Sequence, residues 1–270
     1  VSGVSVTDKP ETQDEAITRL SALRADVING DQRIIAKAAS LVEDFLIPAE
    51  KVKEILHVTQ VPPIIGITGS PGVGKSTTTN ALINHFRKTD FAIAIIAIDP
   101  SSAITGGALL GDRIRLTHHF SDKKVFIRSL ATRGALGGLS SATDSVVALL
   151  AAANFDLIII ETVGVGQSEI EVMRHADSVV LVLAPGMGDG IQAAKAGVME
   201  IGDIYLINKS DRGGADEVAR EVERSLALSA KDPAWKPPVV IGAMESEAGI
   251  SELASAISQH LTHKGKALPR

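Results

Sequence analysis

From position 62 onward the chain is paced by short, unbroken apolar runs at 64–68, 91–98, 125–127, 157–160, 179–183, 204–207 and 239–241. A strand with one wet face alternates apolar and polar residues, whereas unbroken Ile, Val and Leu runs fit a sheet covered on both faces. Helical patterns fall between the runs, at 75–87, 136–153, 191–199, 215–228 and 250–260. Strand and helix in alternation predict an α/β fold with a doubly wound, mainly parallel sheet. Aromatics make up only 3% of the 270 residues, so its core must be built from Ala, Val, Ile and Leu.

The first 60 residues follow a different period. After a polar and loose first ten, Ile17, Leu20 and Leu23 recur at helical spacing, and Asn29-Gly30-Asp31 reads as a helix stop followed by an N-cap. A second helix carries Ile34, Ile35, Ala38, Leu41, Val42 and Phe45 and closes at Ile47-Pro48, before a shorter one around Val52, Ile55 and Leu56. The expected plan is a helical extension over 1–60, an α/β domain over 61–263 and a tail over 264–270.

With no cysteine, thiolate metal sites, disulfides and cysteine nucleophiles are closed to this chain. Charges of 27 basic against 32 acidic residues give −5, so no global positive field recruits nucleic acid or an anionic membrane. The most apolar stretch, 146–160, is broken by Asn154 and Asp156 and is shorter than the roughly 20 residues of a membrane span. No signal-like segment opens the sequence, and a cytoplasmic location is expected.

Directly after the first run, Gly69-Ser70-Pro71-Gly72-Val73-Gly74-Lys75-Ser76-Thr77 contains G-x-x-x-x-G-K-[ST] and opens a helical pattern. Successive N–H groups of such a loop wrap a β-phosphate, Lys75 neutralises β/γ oxygens, Ser76 ligates Mg²⁺, and the helix dipole adds positive charge. This is the phosphate loop of a P-loop NTPase.

Asn208-Lys209-Ser210-Asp211 follows the sixth run with N-K-x-D spacing. A carboxylate at Asp211 accepts from guanine N1–H and its exocyclic amine, a pair adenine lacks, so GTP is expected over ATP. Gly242-Ala243-Met244, after the last run, stands where a backbone N–H can meet guanine O6. Glu161 directly follows the fourth run, where small GTPases carry Asp, and a cap for the next helix is the alternative to a metal role. Its carboxylate can hold Mg²⁺ through water, and Gly164 can offer an N–H to the γ-phosphate. Asp99, at the end of the second run, and Asp112, after a Gly-rich segment, can each approach the metal; for Asp112, a solvated pair with Arg113 is the alternative.

Together these motifs resemble one family, the G3E-type P-loop GTPases, and within it the methylmalonyl-CoA mutase-associated (MeaB/ArgK) GTPases. The carriers are GDQRIIAKAASLVED at 30–44, GITGSPGVGKST at 66–77, IDPSS at 98–102, TGGALLGDRIR at 105–115, ETVGVGQSE at 161–169 and INKSD at 207–211. The resemblance implies a GTPase chaperone whose GTP cycle gates cofactor delivery to an adenosylcobalamin-dependent mutase and protects it. It implies Lys75 and Ser76 for phosphate and magnesium, Asp99 and Asp112 for a first switch, and Glu161 for a second. It further implies that Asp189 and Gln192, in GMGDGIQAAKAG, belong to a segment responsive to nucleotide and partner. Two departures stand out. Ala103 replaces a usual proline, and the sequence stops at Arg270, where relatives continue into a helical segment used for dimerisation. A monomer or weak homodimer is therefore expected.

Other residues carry less. Adjacent residues on a helix point about 100° apart, so His118-His119 reads as surface rather than as a chelating pair. Gln167 either orients an attacking water or starts a helix. Arg128, Arg133 and Arg174 read as solvated. The competing activity is an ArgK-like kinase passing the γ-phosphoryl group to a protein or small-molecule acceptor. A nickel-type metallochaperone is disfavoured by the lack of Cys and of any His-rich tract, and a targeting GTPase by the Glu-based 161–169 motif.

Overall fold

The computed structural model describes residues 12–99, 116, 118–131, 136–162, 173–186, 199–228 and 234–268, with backbone alone at 99, 131 and 136–141. The chain divides into two compact units, Val1–Pro62 with Gly137–Phe155, and Pro63–Leu136 with Asp156–Arg270.

In the first unit the expected helices form as α1 (Gln13–Ala22), α2 (Arg24–Ile28), α3 (Gln32–Asp44) and α4 (Ala49–Leu56). Thr12 caps α1, and the Asp31 carboxylate caps α3 by accepting from the N–H groups of Arg33 and Ile34 at 2.9 and 3.2 Å. The first helical pattern is split at Leu23, which is the C-cap of α1 and the N-cap of α2. The Gln13 amide donates to Phe45 O at 2.8 Å, joining α1 to the end of α3. Ala16, Leu20, Val27, Ile35, Ala38, Val42 and Val52 are fully buried. A fifth helix, α5 (Leu136–Ala152), completes this unit, and the Asn154 amide beyond its end donates to Ile28 O at 3.1 Å.

All seven apolar runs of the second unit are strands: β1 (Ile64–Thr68), β2 (Ile93–Asp99), β3 (Val125–Ala131), β4 (Leu157–Thr162), β5 (Ser178–Leu183), β6 (Ile204–Ile207) and β7 (Val239–Ile241). They form one parallel sheet in the order β3-β2-β4-β1-β5-β6-β7. Helices α6 (Lys75–Arg87) and α8 (Ile250–His263) pack on one face, where Ile65, Ile67, Ile95, Ile159, Val180 and Val182 meet Leu82, Phe86, Leu253 and Ile257. On the other face, α7 (Ala215–Leu228) packs Val218 and Val222 against Leu181, Leu183, Tyr205 and Ile207. Successive residues of β5 thus feed opposite cores, which is why its run is unbroken and why the sheet is doubly wound.

Some boundaries shift. Phe91 lies outside β2, because its N–H bonds Phe86 O and its ring stacks on Phe86 at 5.5 Å to close the corner after α6. β4 runs on through Glu161 and Thr162, and β3 to Ala131. In the tail, the Lys266 ammonium meets Asp177 at 2.7 Å and Leu268 packs on the core. The expected helix at 191–199 falls outside the described residues, apart from Met199. No helix among the described residues is long and apolar enough to cross a membrane.

Candidate nucleotide site

β1 is central, between β4 and β5, so its carboxyl end opens at the point where α/β sheets place their ligands. The loop 69–74 turns there into α6. Glycine is required at two of its ends by space as well as backbone. At Gly69 (φ 149°) a Cβ would stand 2.3 Å from Val182 O, and at Gly74 (φ 101°) it would stand 2.3 Å from the Asn208 amide nitrogen. Ser70, Pro71 and Gly72, between them, are partly or fully exposed, whereas Val73 is anchored in the core.

The charged and hydroxyl groups converge at the start of α6. Lys75 is buried, its ammonium donating to Gly69 O and Ser70 O at 2.9 and 3.1 Å. Glu161 is only 5% exposed, and each of its oxygens accepts from a hydroxyl of α6: Oε1 from Ser76 at 2.5 Å and Oε2 from Thr79 at 2.7 Å. Burying a carboxylate is costly unless it is satisfied, and these two bonds supply that satisfaction. Behind them Thr162 donates to the Thr68 hydroxyl at 3.0 Å, tying the ends of β4 and β1.

Asn208 joins this half of the site to the other. Its amide donates to Val73 O at 2.9 Å and its carbonyl accepts from Met244 N–H at 3.0 Å, linking the phosphate loop to the loop after β7. Lys209 adopts the left-handed conformation (φ 60°) and lays its ammonium on Gly72 O. Asp211 stands exposed on the short turn Ser210–Arg212, which is held by Ser210 N–H on Gly242 O at 3.1 Å. The N–H groups of Gly242, Ala243 and Met244 are engaged by Ile207 O, Ala248 O and Asn208 Oδ1. Each of these three N–H groups, among which the sequence places a donor for guanine O6, thus serves here to fix the loop. Glu247 anchors that loop to α6, accepting from Asn84 at 2.8 Å and Lys88 at 3.2 Å. These bonds hold its carboxyl below the ordinary range.

Of the remaining sequence candidates, Asp99 is at the end of β2 by its backbone. Its side chain, with Asp112, Gly164, Gln167, Asp189, Gln192 and Arg133, lies outside the described residues. His118 is exposed as expected, but His119 is buried. Its ring Nε2 meets Asn80 Oδ1 at 2.8 Å, and burial pushes its pKa down. Arg174 is exposed and Arg128 half-buried. No cluster of three or more His, Asp or Glu ready to hold a metal occurs among the described residues. Thr79, Asn84 and Glu247 escape a motif-based reading. Only Thr79 leaves a trace in it, as the hydroxyl three residues past Ser76 and so on the same helical face.

Residues 35–268 match the sequence signature of the family described as methylmalonyl Co-A mutase-associated GTPase MeaB. A protein of Pyrococcus abyssi named as a GTPase is 46% identical over 254 residues, covering 92% of this chain and 75% of its own. A fused isobutyryl-CoA mutase of Cupriavidus metallidurans is 38% identical over 228 residues, 82% of this chain but 21% of that protein. Among solved structures, a LAO/AO transport system kinase superposes with a TM-score of 0.69 at 28% identity, covering 96% of this chain and 79% of that one.

Proposed function

The chain belongs to the MeaB family of methylmalonyl-CoA mutase-associated GTPases and is a P-loop GTPase; from that premise we propose that it couples Mg²⁺-dependent GTP hydrolysis to the service of an adenosylcobalamin-dependent acyl-CoA mutase, as switch and chaperone. The observation that carries the reading is Asn208, whose two bonds make the phosphate loop and the base-side loop one construction, with Asp211 beside it. A phosphate cradle built to that plan suits a guanine nucleotide, because Asp211 can accept both guanine donors.

The donor set fits magnesium: a buried carboxylate and a hydroxyl are hard oxygens, and Ser76 and Glu161 would hold the ion. When bound it neutralises charge on the β- and γ-phosphates. Lys75 exchanges its loop carbonyls for phosphate oxygens, the N–H groups of 70–76 cradle the β-phosphate, and Asp211 fixes the base. Asp99 and Asp112 belong in this reading to a first switch, Gly164 to γ-phosphate sensing, and Asp189 and Gln192 to partner contact. The existence of a relative named as a fused mutase supports a mutase partner.

The test is GTP turnover measured alone, against ATP, and with an adenosylcobalamin-dependent mutase. Selective GTP turnover that changes with the mutase is expected, and linkage requires nucleotide to change mutase affinity in return. ATP competing equally would remove the guanine reading, and independence from every such mutase would remove the partner. The likeness to a LAO/AO transport system kinase favours a second reading, γ-phosphoryl transfer to an acceptor. Phosphate release without any acceptor counts against it.

A further inference from the structure

Glu161 reaches α6 from the end of β4, flanked by β1 at Ile67 and β2 at Ala97, so its backbone is fixed while its side chain keeps three rotatable bonds. Something must choose one arrangement of those bonds. Ser76 is one partner, but in the reading above its oxygen also serves the metal. The other partner is Thr79, one turn deeper in α6 and fully buried. Its hydroxyl lies 2.7 Å from Glu161 Oε2 and 3.1 Å from Lys75 O, and it has one proton to give. A threonine inside a helix ordinarily bonds the carbonyl four residues back, yet the shorter contact here is to the carboxylate, whose charge strengthens the bond.

We propose that Thr79 is a positioning residue for the reaction: its hydroxyl holds Glu161 Oε2 so that Oε1 is presented toward Ser76 and the cation they would share. Two hydroxyls at i and i+3 grip both oxygens of one carboxylate, and the deeper one stays in place when the nearer is recruited. The extra methylene of glutamate, compared with the aspartate of small GTPases, carries the carboxylate far enough along α6 to need this second hold. The proposal rests on the reading of Ser76 and Glu161 as the Mg²⁺ site.

The experiment follows release of a fluorescent GDP from the full chain as Mg²⁺ is titrated, with a parallel measurement in excess chelator. Thr79→Val replaces the hydroxyl by a methyl of similar volume. It should raise the Mg²⁺ concentration needed to slow release about tenfold, the order expected for a lost bond to a charged group, while metal-free GDP affinity stays as in the parent. Thr79→Ser should restore the parent curve. Thr79→Ala, smaller rather than isosteric, should match the valine variant, which ties the effect to the hydroxyl and covers the case of a valine protein that folds poorly. A parent-like Mg²⁺ curve in the valine and alanine variants would overturn the proposal, as would an equal loss of metal-free affinity, which marks a purely structural role. A parent protein whose GDP release ignores Mg²⁺ altogether would instead overturn the metal reading, and this proposal with it.

Discussion

The two ends of the parallel sheet use the same chemical group in opposite ways. At the amino ends, Asp156, Asp177 and Asp203 each precede a strand and pair reciprocally with the neighbouring one. Their carboxylates accept the N–H groups of Ala92, Ile64 and Val179 at 2.7, 2.8 and 2.9 Å, and their own N–H groups return to the carbonyls of the same residues. At the carboxyl ends, Glu161 is held by two side-chain hydroxyls, and Lys75 by loop carbonyls. A carboxylate bonded to backbone donors is committed to the fold, because those donors have nowhere else to go. One bonded to hydroxyls can trade partners for a cation or a phosphate. On the function proposed above, the difference separates the end that stabilises from the end that works, and it can be broken by mutation at either.

The largest effects belong to the carboxyl end. Lys75→Ala should slow GTP turnover by about 10²–10³-fold, the range seen when one charge-stabilising donor is lost, while the protein keeps a cooperative melt. Turnover at the parent rate in a folded variant would remove the phosphate-loop assignment. Asp211→Asn should weaken GTP by about 10²-fold or more, since a site built for two donors rejects a partner it cannot pair, and it should strengthen xanthosine triphosphate, whose carbonyl accepts from the new amide. Because Asp211 is exposed, its melting temperature should not move; competition binding with the two nucleotides decides the point.

What could be read from the sequence divides along the same line. The seven strands and the phosphate loop were legible because unbroken apolar runs and glycine spacing are local signals. The role of Asn208 as a bridge was not, since Val73 and Met244 lie 135 and 36 residues away and only the fold brings them together. Glu247 was silent for the same reason, its partners Asn84 and Lys88 coming from another element. His119 looked like surface beside His118 because periodicity cannot foresee that Asn80 will satisfy a buried ring. The three aspartates did leave a sign, an acid immediately before β4, β5 and β6. Its meaning depends on which strands are neighbours, and that is set by topology.

At the amino ends the expected effects are on stability alone. Asp177→Ala strands the Ile64 N–H and frees Lys266, and should cost about 1–3 kcal/mol, the penalty of an unsatisfied buried donor. Turnover per folded molecule should be unchanged. Denaturant melts and GTP turnover on the same samples test the separation: a turnover loss as large as that of Lys75→Ala would show that the two ends are coupled after all.

The smallest effect sharpens the comparison most, because Asp122 belongs to both kinds. It lies before β3 and accepts from the Lys124 N–H at 2.9 Å, but it also accepts from the Arg87 side chain at 2.7 Å near the end of α6. Burial pushes its carboxyl up, yet the bonds from Arg87 and Lys124 and the Arg87 charge outweigh this and hold it below the ordinary carboxylate range. A carboxyl lowered in the folded state stabilises fully above its unfolded pKa, and that stability is lost as pH falls through the folded value. Asp122→Asn should therefore be less stable than the parent at pH 7 by about 1 kcal/mol or less, since the pair is partly solvated and screened. The two stability curves should begin to converge as pH falls below about 4, the ordinary carboxylate value, and meet only below the folded pKa, where the parent carboxyl is protonated too. In 1 M salt the gap at pH 7 should narrow, because exposed charges are screened within about 3 Å, whereas the Asp177→Ala gap, set mainly by a backbone donor, should persist. Urea melts across pH 2–7 at two salt concentrations would show it, and parallel curves for Asp122→Asn and the parent would mean that its backbone bond, not its charge, is what the fold uses.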